Sequence, residues 1–454
     1  MLGPTDKNTT GVVMQNDFDL FIVDLNGNLR GKRLLGSSLD KVYEEGVKLP
    51  RSVSGLDFWG GDVPENGLVF ETGDNDGVCM PVQDKPVPVP WAEKDRHQLH
   101  AMMWNPDGTE FTADPRQCLS HIVKQYHDRG WYPVMATELE FYLMDGSSEE
   151  IQRPQPPVLD RGHGRRLNTT DAYSIEDVDG LESFFAEVRD TCEKQGVLAD
   201  TIISELGPGQ FEINLKHVQD PLAAGDQAIW FKRLVKGIAR KHGYSATFMA
   251  KPYAEESGNG FHVHYSLVDA DGNNLFDDGG EDGTPMLRHA VAGMLEMMPQ
   301  CMLMFAPHLN SYRRFMEGSH APVFASWGYE NRTVSIRIPE SDPVARRIEH
   351  RVAGADANPY LVLASVLAGG LYGIENELEA PEPMVGDAYA AADESTRLPS
   401  RWEDAIKTLE HSEQVPHYLT EEFVRVYGAV KSAEYKDLCS RISDIEYEAY
   451  LGLL

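Results

Sequence analysis

Acidic and imidazole side chains recur at every second position in several short, strand-like segments of this sequence. In TELEFYL, the two-residue period of a strand places Glu138 and Glu140 on one face and apolar side chains on the other. Glu212 in QFEINL, and His262 with His264 in GFHVHYS, follow the same alternation. Neighbouring like charges repel, and a bound cation is the simplest physical reason to keep them together. Carboxylates with an imidazole suit Mg²⁺ or Mn²⁺ at a site that handles phosphate.

Arginines follow the same alternation further along the chain. Arg337 lies in VSIRI, and Arg347, Glu349 and Arg351 share one face of RRIEHRV. Guanidinium groups offer paired donors that match phosphate or carboxylate oxygens. Carboxylates for a cation beside arginines for phosphate indicate phosphoryl transfer from a nucleotide. For any single segment the alternative is an amphipathic strand with its polar face in water, but five segments rich in glutamate, histidine and arginine weaken it.

Composition and charge narrow the class of protein. The chain has 454 residues, which is long enough for more than one hydrophobic core. It carries 41 Lys+Arg against 72 Asp+Glu, a net charge of −31, so nucleic acid and anionic membranes are disfavoured as partners. The cysteines show no metal-binding spacing, and no secretory signal or membrane-spanning run is found. These features predict a cytoplasmic protein.

The elements that must position the polar side chains follow an α+β pattern. Residues 1–16 are polar and predicted to be flexible, and short strand-like segments fill residues 17–110, predicted to form a small N-terminal domain. A turn cluster at 105–108 and a helix start at Asp114-Pro115 place the boundary there. Residues 111–454 are predicted to form a catalytic domain. The periodicity predicts a strand over 132–144 and helices near 116–129, 178–195, 221–242 and 285–304.

Six segments resemble, in order, the signature motifs of the glutamine synthetase superfamily: TELEFYL, ELGPGQFEINL, KPYAEESGNGFHVHYS, LNSYRRF, NRTVSIRIP and RRIEHRVAGADANPYL. The six segments are most similar to those of the γ-glutamylpolyamine (γ-glutamylputrescine) synthetase branch. This resemblance implies a β-grasp-like N-terminal domain and a large catalytic domain with a partial β-barrel. It also implies a site shared between subunits of a homo-oligomer, a dodecamer of two stacked hexameric rings.

The resemblance further implies roles for individual residues. One divalent ion, Mg²⁺ or Mn²⁺, is expected on Glu140, Glu205 and Glu212, and another on Glu138, His262 and Glu349. The nucleotide ATP and its phosphates are expected to contact His264, Ser266, Arg337, Arg347 and Arg351. Glutamate is expected to contact Glu140, Gly258, Arg314 and Arg351. The implied reaction forms γ-glutamyl phosphate, which an amine then attacks.

The sequence departs from the ammonia-using members of this superfamily at the acceptor site. His320 lies at the position where those members carry a glutamate in a flap over the site. Those members also have a small-domain loop whose aspartate helps to deprotonate ammonium. Here residues 49–53 replace that loop, and Asp57 is only a possible substitute for the aspartate. Without these carboxylates, an alkyl amine or polyamine is the predicted acceptor, with His320 either accepting its proton or lying on the flap surface. The alternatives are ammonia, or an inactive structural or nitrogen-sensing relative. Trp59 and Trp327 could line an amine pocket through cation–π contacts, or serve in packing.

Overall fold

The computed structural model describes residues 16–146, 154–159, 166–169, 171–391 and 393–454. The predicted flexible N-terminus lies outside the described residues, apart from residue 16. Helices and strands are mixed along the described chain, which confirms the α+β class. The division at residues 110 and 111 stays a prediction.

A mixed sheet occupies the N-terminal part of the described chain. Its strands are β1 (Phe18–Val23), β2 (Leu29–Leu34), β3 (Val47–Pro50), β4 (Asp76–Pro81), β5 (Val87–Pro88) and β6 (His97–Trp104), and helix α1 (Leu39–Glu45) lies between β2 and β3. The strand order is β2-β1-β6-β4-β3, with β5 also paired to β6. Strands β1 and β6 run parallel to each other, while the other pairs are antiparallel. This arrangement confirms the β-grasp-like prediction.

A second, curled sheet forms the partial barrel. Its strands are β7 (Tyr132–Asp145), β8 (Ala199–Ser204), β9 (Gln210–Val218), β10 (Tyr244–Thr247), β11 (Phe261–Val268), β12 (Trp327–Tyr329), β13 (Ile336–Ile338) and β14 (Ile348–His350). The order is β12-β13-β14-β11-β7-β9-β8, with β10 also paired to β7. The antiparallel register sets Glu138 opposite His262, and Glu140 opposite Glu212. Residues far apart in sequence therefore meet on one face of the sheet.

The remaining helices of the described chain precede, separate or follow these strands, and some of them pack on the apolar face of the sheet. They are α2 (Pro115–His127), α3 (Ile175–Gly180), α4 (Glu182–Gln195), α5 (Pro221–Lys241), α6 (Pro285–Phe305), α7 (Pro359–Glu375), α8 (Ala388–Ala391), α9 (Trp402–Glu410), α10 (Gln414–Leu419), α11 (Glu421–Ser440) and α12 (Asp444–Tyr450). Three of the four helices predicted from periodicity are confirmed within a few residues, and the segment predicted over 178–195 is divided at Leu181 between α3 and α4. Among the described helices, none is both long and apolar enough to cross a bilayer.

The four longest helices that begin with proline share one start signal. A short polar residue precedes the proline and accepts a hydrogen bond from a backbone amide of the first turn; these caps are Asp114, Asp220, Thr284 and Asn358. Proline is well suited to the first helical position because its missing N–H has no helical partner there. On the sheet side, Leu139 and Phe141 of β7 are fully buried. The helices therefore fix one face of β7, and its polar face is left to line a cavity.

Candidate active site

A cavity of about 1010 Å³ opens on the polar face of the partial barrel. It is lined by most of the residues predicted from the sequence: Glu138, Glu140, Glu205, Glu212, Gly258, His262, His264, Arg314, His320, Arg337, Arg347, Glu349 and Arg351. Most of the carboxylates and two histidines come from β7, β9, β11 and β14, and Arg337 comes from β13. Arg347 and Arg351 flank β14, whereas Glu205, Gly258, Arg314 and His320 come from segments between the strands. The structure thus brings together side chains that the strand periodicity had assigned to one face.

Two overlapping groups of side chains could each hold a metal ion. In the first, one ligand atom each of Glu138, His262 and Glu349 lies within 4.8 Å of the others. His262 Nδ1 is 3.2 Å from Glu138 Oε2 and 3.9 Å from Glu349 Oε1. In the second, Glu140, Glu212 and His262 meet the same condition. Glu205 lines the cavity but lies outside these two groups.

The first group is held ionised by its neighbours. Burial favours the neutral form of Glu138, but hydrogen bonds from His262 and His264 outweigh it and hold its pKa well below the usual range. Burial also favours the neutral form of Glu349, but the positive charge of Arg351 outweighs the effect of burial and lowers the pKa of this carboxyl to about 2. Both carboxylates are therefore anionic near neutral pH, which a cation ligand requires.

The second group carries unbalanced negative charge. Burial, followed by repulsion from Glu138 and Glu140, raises the pKa of Glu212 to about 9. Burial and then repulsion from Glu140 raise the pKa of Glu205 to about 7. Crowded carboxylates with raised pKa values are typical of a site for a divalent cation, because the charge of the cation offsets their repulsion. The donor set, mostly oxygen with one imidazole, fits an ion of the Mg²⁺ or Mn²⁺ type.

These raised pKa values predict how the stability of the metal-free protein depends on pH. A carboxyl whose pKa is higher in the folded than in the unfolded chain stabilises the fold below its unfolded pKa, and this contribution is lost as pH rises through the folded value. For Glu205 and Glu212 the loss falls between about pH 5 and 9. In EDTA, the thermal midpoint is therefore expected to fall from pH 6 to 9, and Mg²⁺ should reduce the fall.

Differential scanning fluorimetry across this range, with EDTA or with Mg²⁺, measures the effect. The matched control is Glu212→Gln, whose slope in EDTA should be shallower because the amide does not titrate. A midpoint in EDTA that stays level or rises towards pH 9 would contradict the crowding of these carboxylates.

The arginines form a row beside the carboxylates. Arg337 Nη1 donates to Glu349 Oε2 at 2.8 Å, and its Nη2 reaches Glu330 Oε2 at 3.0 Å. Arg351 also donates to Glu349. Arg347 Nε donates to His264 Nδ1 at 3.2 Å, so the proton of this imidazole is assigned to Nε2, which donates to Glu138. Carboxylate and guanidinium groups thus alternate along the wall, a pattern suited to a metal-bound polyphosphate.

Arg314 is packed tightly against Gly258. The arginine is 5% exposed and donates from Nη1 to Val352 O at 3.0 Å. A Cβ on Gly258 would lie only 2.2 Å from Arg314 Cγ and 2.6 Å from Ala250 O. Only glycine fits there, so the backbone of this loop can approach the arginine that is expected to hold the substrate carboxylate.

His320 lies at the mouth of the cavity in a strained turn. It is exposed, and its φ of 59° is in the left-handed region, which is unusual for a residue other than glycine. Such backbone geometry often accompanies functional loops. Its assignment as the proton acceptor stays a prediction.

Some predicted residues lie away from this cavity. Ser266 is two positions beyond His264 on β11, paired with Val134, and is not among the residues that line the cavity. Asp57 belongs to the N-terminal segment, where its Oδ1 accepts from Gly61 N at 2.8 Å, and it is not among the residues that line this cavity. Trp327 is buried and donates to a backbone carbonyl.

Trp59, the other tryptophan considered for the amine pocket, lies on the surface. Its Nε1 donates to Asp437 at 3.0 Å, and the guanidinium of Arg441 covers its ring. Neither tryptophan lines the cavity of its own chain, and a role for either in an amine pocket stays a prediction.

Several residues that line the cavity were not predicted, and Arg332 and Gln210 are two of them. Arg332 stands in the NRTVSIRIP motif but precedes β13, so strand alternation gives it no face. Gln210 begins β9 and is neutral, so a search for charged ligands passes over it. Arg332 could have been indicated by its place within the motif. The two-residue period of β9 puts Gln210 on the same face as Glu212, and only its neutral side chain kept it from being selected.

The sequence profile described as glutamine synthetase, catalytic domain, matches residues 112–450, most of the chain. The chain belongs to the glutamine synthetase family. Among its family relatives, γ-glutamylputrescine synthetase PuuA of Escherichia coli is 40% identical, over 95% of this chain and 90% of that protein. Glutamate–isopropylamine ligase of a Pseudomonas species is 35% identical, over 95% and 94%. γ-Glutamylethanolamide synthetase GlnA4 of Streptomyces coelicolor is 31% identical, over 96% and 93%.

Solved structures of the family agree with the fold. The GmaS/ADP complex superposes with a TM-score of 0.82 and 26% identity, covering 96% of this chain and 97% of that one. Ligand-free GmaS gives a TM-score of 0.81 and 27% identity, covering 96% of each chain. Enzymes of this family depend on ATP and a divalent metal ion, which agrees with the carboxylate groups and the arginine row of this cavity.

Proposed function

We propose that this chain is an ATP- and divalent-metal-dependent ligase that joins the γ-carboxyl of glutamate to an alkyl amine or polyamine. The observation that carries the proposal is one cavity in which buried carboxylates and His262 adjoin a row of arginines. The family relatives named above as ligases for putrescine, isopropylamine and ethanolamine support the amine. Mg²⁺ or Mn²⁺ is the proposed ion, because the donors are mainly carboxylate oxygens.

Each group of the cavity has a step in this reaction. Arg314 holds the α-carboxylate of glutamate, and the loop at Gly258 closes over the amino acid. Arg337, Arg347 and Arg351 bind the phosphates and offset the charge that builds up during transfer. The bound ion supplies charge neutralisation and polarises the γ-phosphate. The γ-carboxylate attacks the γ-phosphorus, ADP leaves, and γ-glutamyl phosphate is formed.

The second step needs a neutral amine. A protonated alkylammonium must lose one proton before its nitrogen can attack the acyl phosphate, and phosphate then leaves as the amide forms. His320 lies at the mouth of the cavity, where an amine enters, and an imidazole can accept a proton near neutral pH. Ammonia-specific members place a carboxylate there, which favours a small ammonium ion.

An amine panel tests the proposal. The purified protein is assayed for phosphate release with ATP, Mg²⁺ and glutamate, and with putrescine, isopropylamine, ethanolamine or ammonium as acceptor. Release with at least one alkyl amine, at a kcat/KM well above that for ammonium, is expected. Activity with ammonium alone would identify a glutamine synthetase. Failure to bind Mg²⁺-nucleotide in calorimetry would revive the inactive-relative alternative.

We further propose that the protein assembles as two stacked hexameric rings. Asp57 lies away from the cavity of its own chain, so a neighbouring subunit is needed to bring it to an active site. The C-terminal segment 442–454 also exposes a set of large apolar side chains: Ile442, Ile445, Tyr447, Tyr450, Leu451, Leu453 and Leu454. Contiguous apolar patches of this kind mark contact surfaces, and we assign this one to the contact between rings.

Removing residues 442–454 is therefore expected to reduce a dodecamer to hexamers. Light scattering coupled to size-exclusion chromatography measures the mass. Val385→Ser is the control, because Val385 is also a highly exposed apolar residue but lies outside this segment. An unchanged mass in the truncated chain would exclude this role for the segment.

A further inference from the structure

A buried amide connects the carboxylate cluster with the loop expected to bind glutamate. Gln210 is 1% exposed and begins β9. Its Nε2 donates to Glu140 Oε2 at 3.0 Å and to Gly258 O at 3.1 Å, and lies 3.3 Å from Asn259 Oδ1. Its Oε1 accepts from Gly207 N at 3.0 Å. One side chain therefore contacts an expected metal ligand and the expected substrate loop.

The neighbours fix the orientation of this amide. Asn259 uses its own Nδ2 to donate to Met249 O at 2.9 Å, which turns its Oδ1 towards Gln210. On the opposite side, the N–H of Gly207 requires an acceptor. The NH₂ group of Gln210 must then face Glu140, and the reversed orientation would place an oxygen against a carboxylate.

The NH₂ group is shared among more acceptors than it can satisfy. It has two hydrogens, whereas Glu140, Gly258 and Asn259 offer three acceptor oxygens within 3.3 Å. Any shift of the loop redistributes these hydrogen bonds, and so does any change of charge at the carboxylate. The same Glu140 oxygen also accepts from Gly260 N at 2.8 Å. Two donors thus hold one oxygen in place, and we assign the second oxygen to the cation.

We propose that Gln210 is a positioning residue that couples cation binding at Glu140 to glutamate binding at the Gly258 loop. This inference rests on the proposed function, because the divalent cation and glutamate are the ligands named there. Gln210 acts through its two neighbours and contacts neither ligand. Closure of the loop on glutamate tightens the hydrogen bond to Gly258 O and fixes Glu140 for the ion. By linkage, glutamate then strengthens metal binding, and the metal strengthens glutamate binding by the same factor.

Calorimetric titration of the full chain with Mn²⁺, with and without glutamate and in the absence of ATP, measures this coupling without turnover. In the wild type, glutamate is expected to lower the Mn²⁺ Kd about tenfold. In Gln210→Leu, which keeps the approximate size but loses the hydrogen bonds, the ratio of the two Kd values should fall close to one. Gln227→Leu is the matched control. This glutamine is also buried, but its Oε1 accepts from Leu198 N away from the cavity, so the variant should keep the wild-type ratio.

A second variant guards against a folding defect. Gln210→Met has a side chain of similar length, is uncharged and also loses the donors, so it should also abolish the coupling. Thermal melting identifies which variants are folded, and the ratio of the two Kd values in either folded variant is sufficient to test the role of Gln210. A folded variant with the wild-type ratio overturns the role of Gln210, as does a wild type whose Mn²⁺ affinity ignores glutamate. A wild type that binds no Mn²⁺ at all contradicts the proposed function itself.

Discussion

Replacing Glu349 by glutamine is expected to lower kcat by about three orders of magnitude while the protein remains folded. Glu349 is 2% exposed, belongs to the first cation group, and accepts hydrogen bonds from Arg337 and Arg351. The amide keeps the shape but removes the negative charge. The cation then loses an anionic ligand, and two arginines aimed at phosphate lose the carboxylate that holds their geometry.

Phosphate release with glutamate, ATP and an accepted amine measures this loss, and circular dichroism verifies the fold. Glu187→Gln is the matched control, because Glu187 also pairs with two cationic partners, Lys241 and His242, but lies on α4 outside the cavity. It should show wild-type turnover. Near-normal rates in the Glu349 variant would show that this residue does not hold the ion.

Gly258→Ala is expected to raise the KM for glutamate about 100-fold, equivalent to about 2.7 kcal/mol of lost binding. The new Cβ would lie 2.2 Å from Arg314 Cγ, so either the arginine or the loop must move. Because Arg314 is enclosed and held by Val352 O, displacement removes it from the position expected to bind the α-carboxylate. The KM for ATP should change much less, since the clash lies at the glutamate end of the cavity.

Steady-state kinetics with each substrate varied in turn separate these effects. Gly428→Ala provides the control, since a Cβ there meets nothing within 4 Å and the residue lies in the middle of α11. It should leave both KM values unchanged. If Gly258→Ala raises the two KM values equally, the substitution has disturbed the whole cavity, and the assignment of Arg314 to glutamate fails.

The polar face of the sheet could be predicted from sequence because its residues lie on the same strands as their apolar neighbours. The two-residue period of β7 separates Glu138 and Glu140 from Leu139 and Phe141, which the helices bury. That period is a property of the extended backbone and needs no knowledge of distant contacts. The pairing of Glu140 with Glu212 is different, because it depends on the register between two strands.

Other features depend on contacts that are made only in the folded chain. Gln210 matters because three acceptors from separate elements converge on it. Arg332 reaches the cavity from a turn, where no period applies. The family motifs indicated Ser266 as a nucleotide contact, yet strand β11 carries it beyond the lining of the cavity. Asp57 does not line the cavity of its own chain, and its proposed role across a subunit contact is one that the periodicity of a single chain cannot describe.

The charged residues of the cavity lie on central strands of the sheet, and this position limits where members of the family can vary. The buried side of β7 is closely packed beneath Glu138 and Glu140, so substitutions that change its volume are expected to disturb the half of the cavity proposed to bind phosphate and glutamate. His320, by contrast, lies in an exposed turn outside the sheet, which can vary without disturbing the core. New acceptors can therefore be acquired by altering surface turns alone. Relatives named for putrescine, isopropylamine and ethanolamine, each 31–40% identical to this chain, are what such unequal freedom would produce.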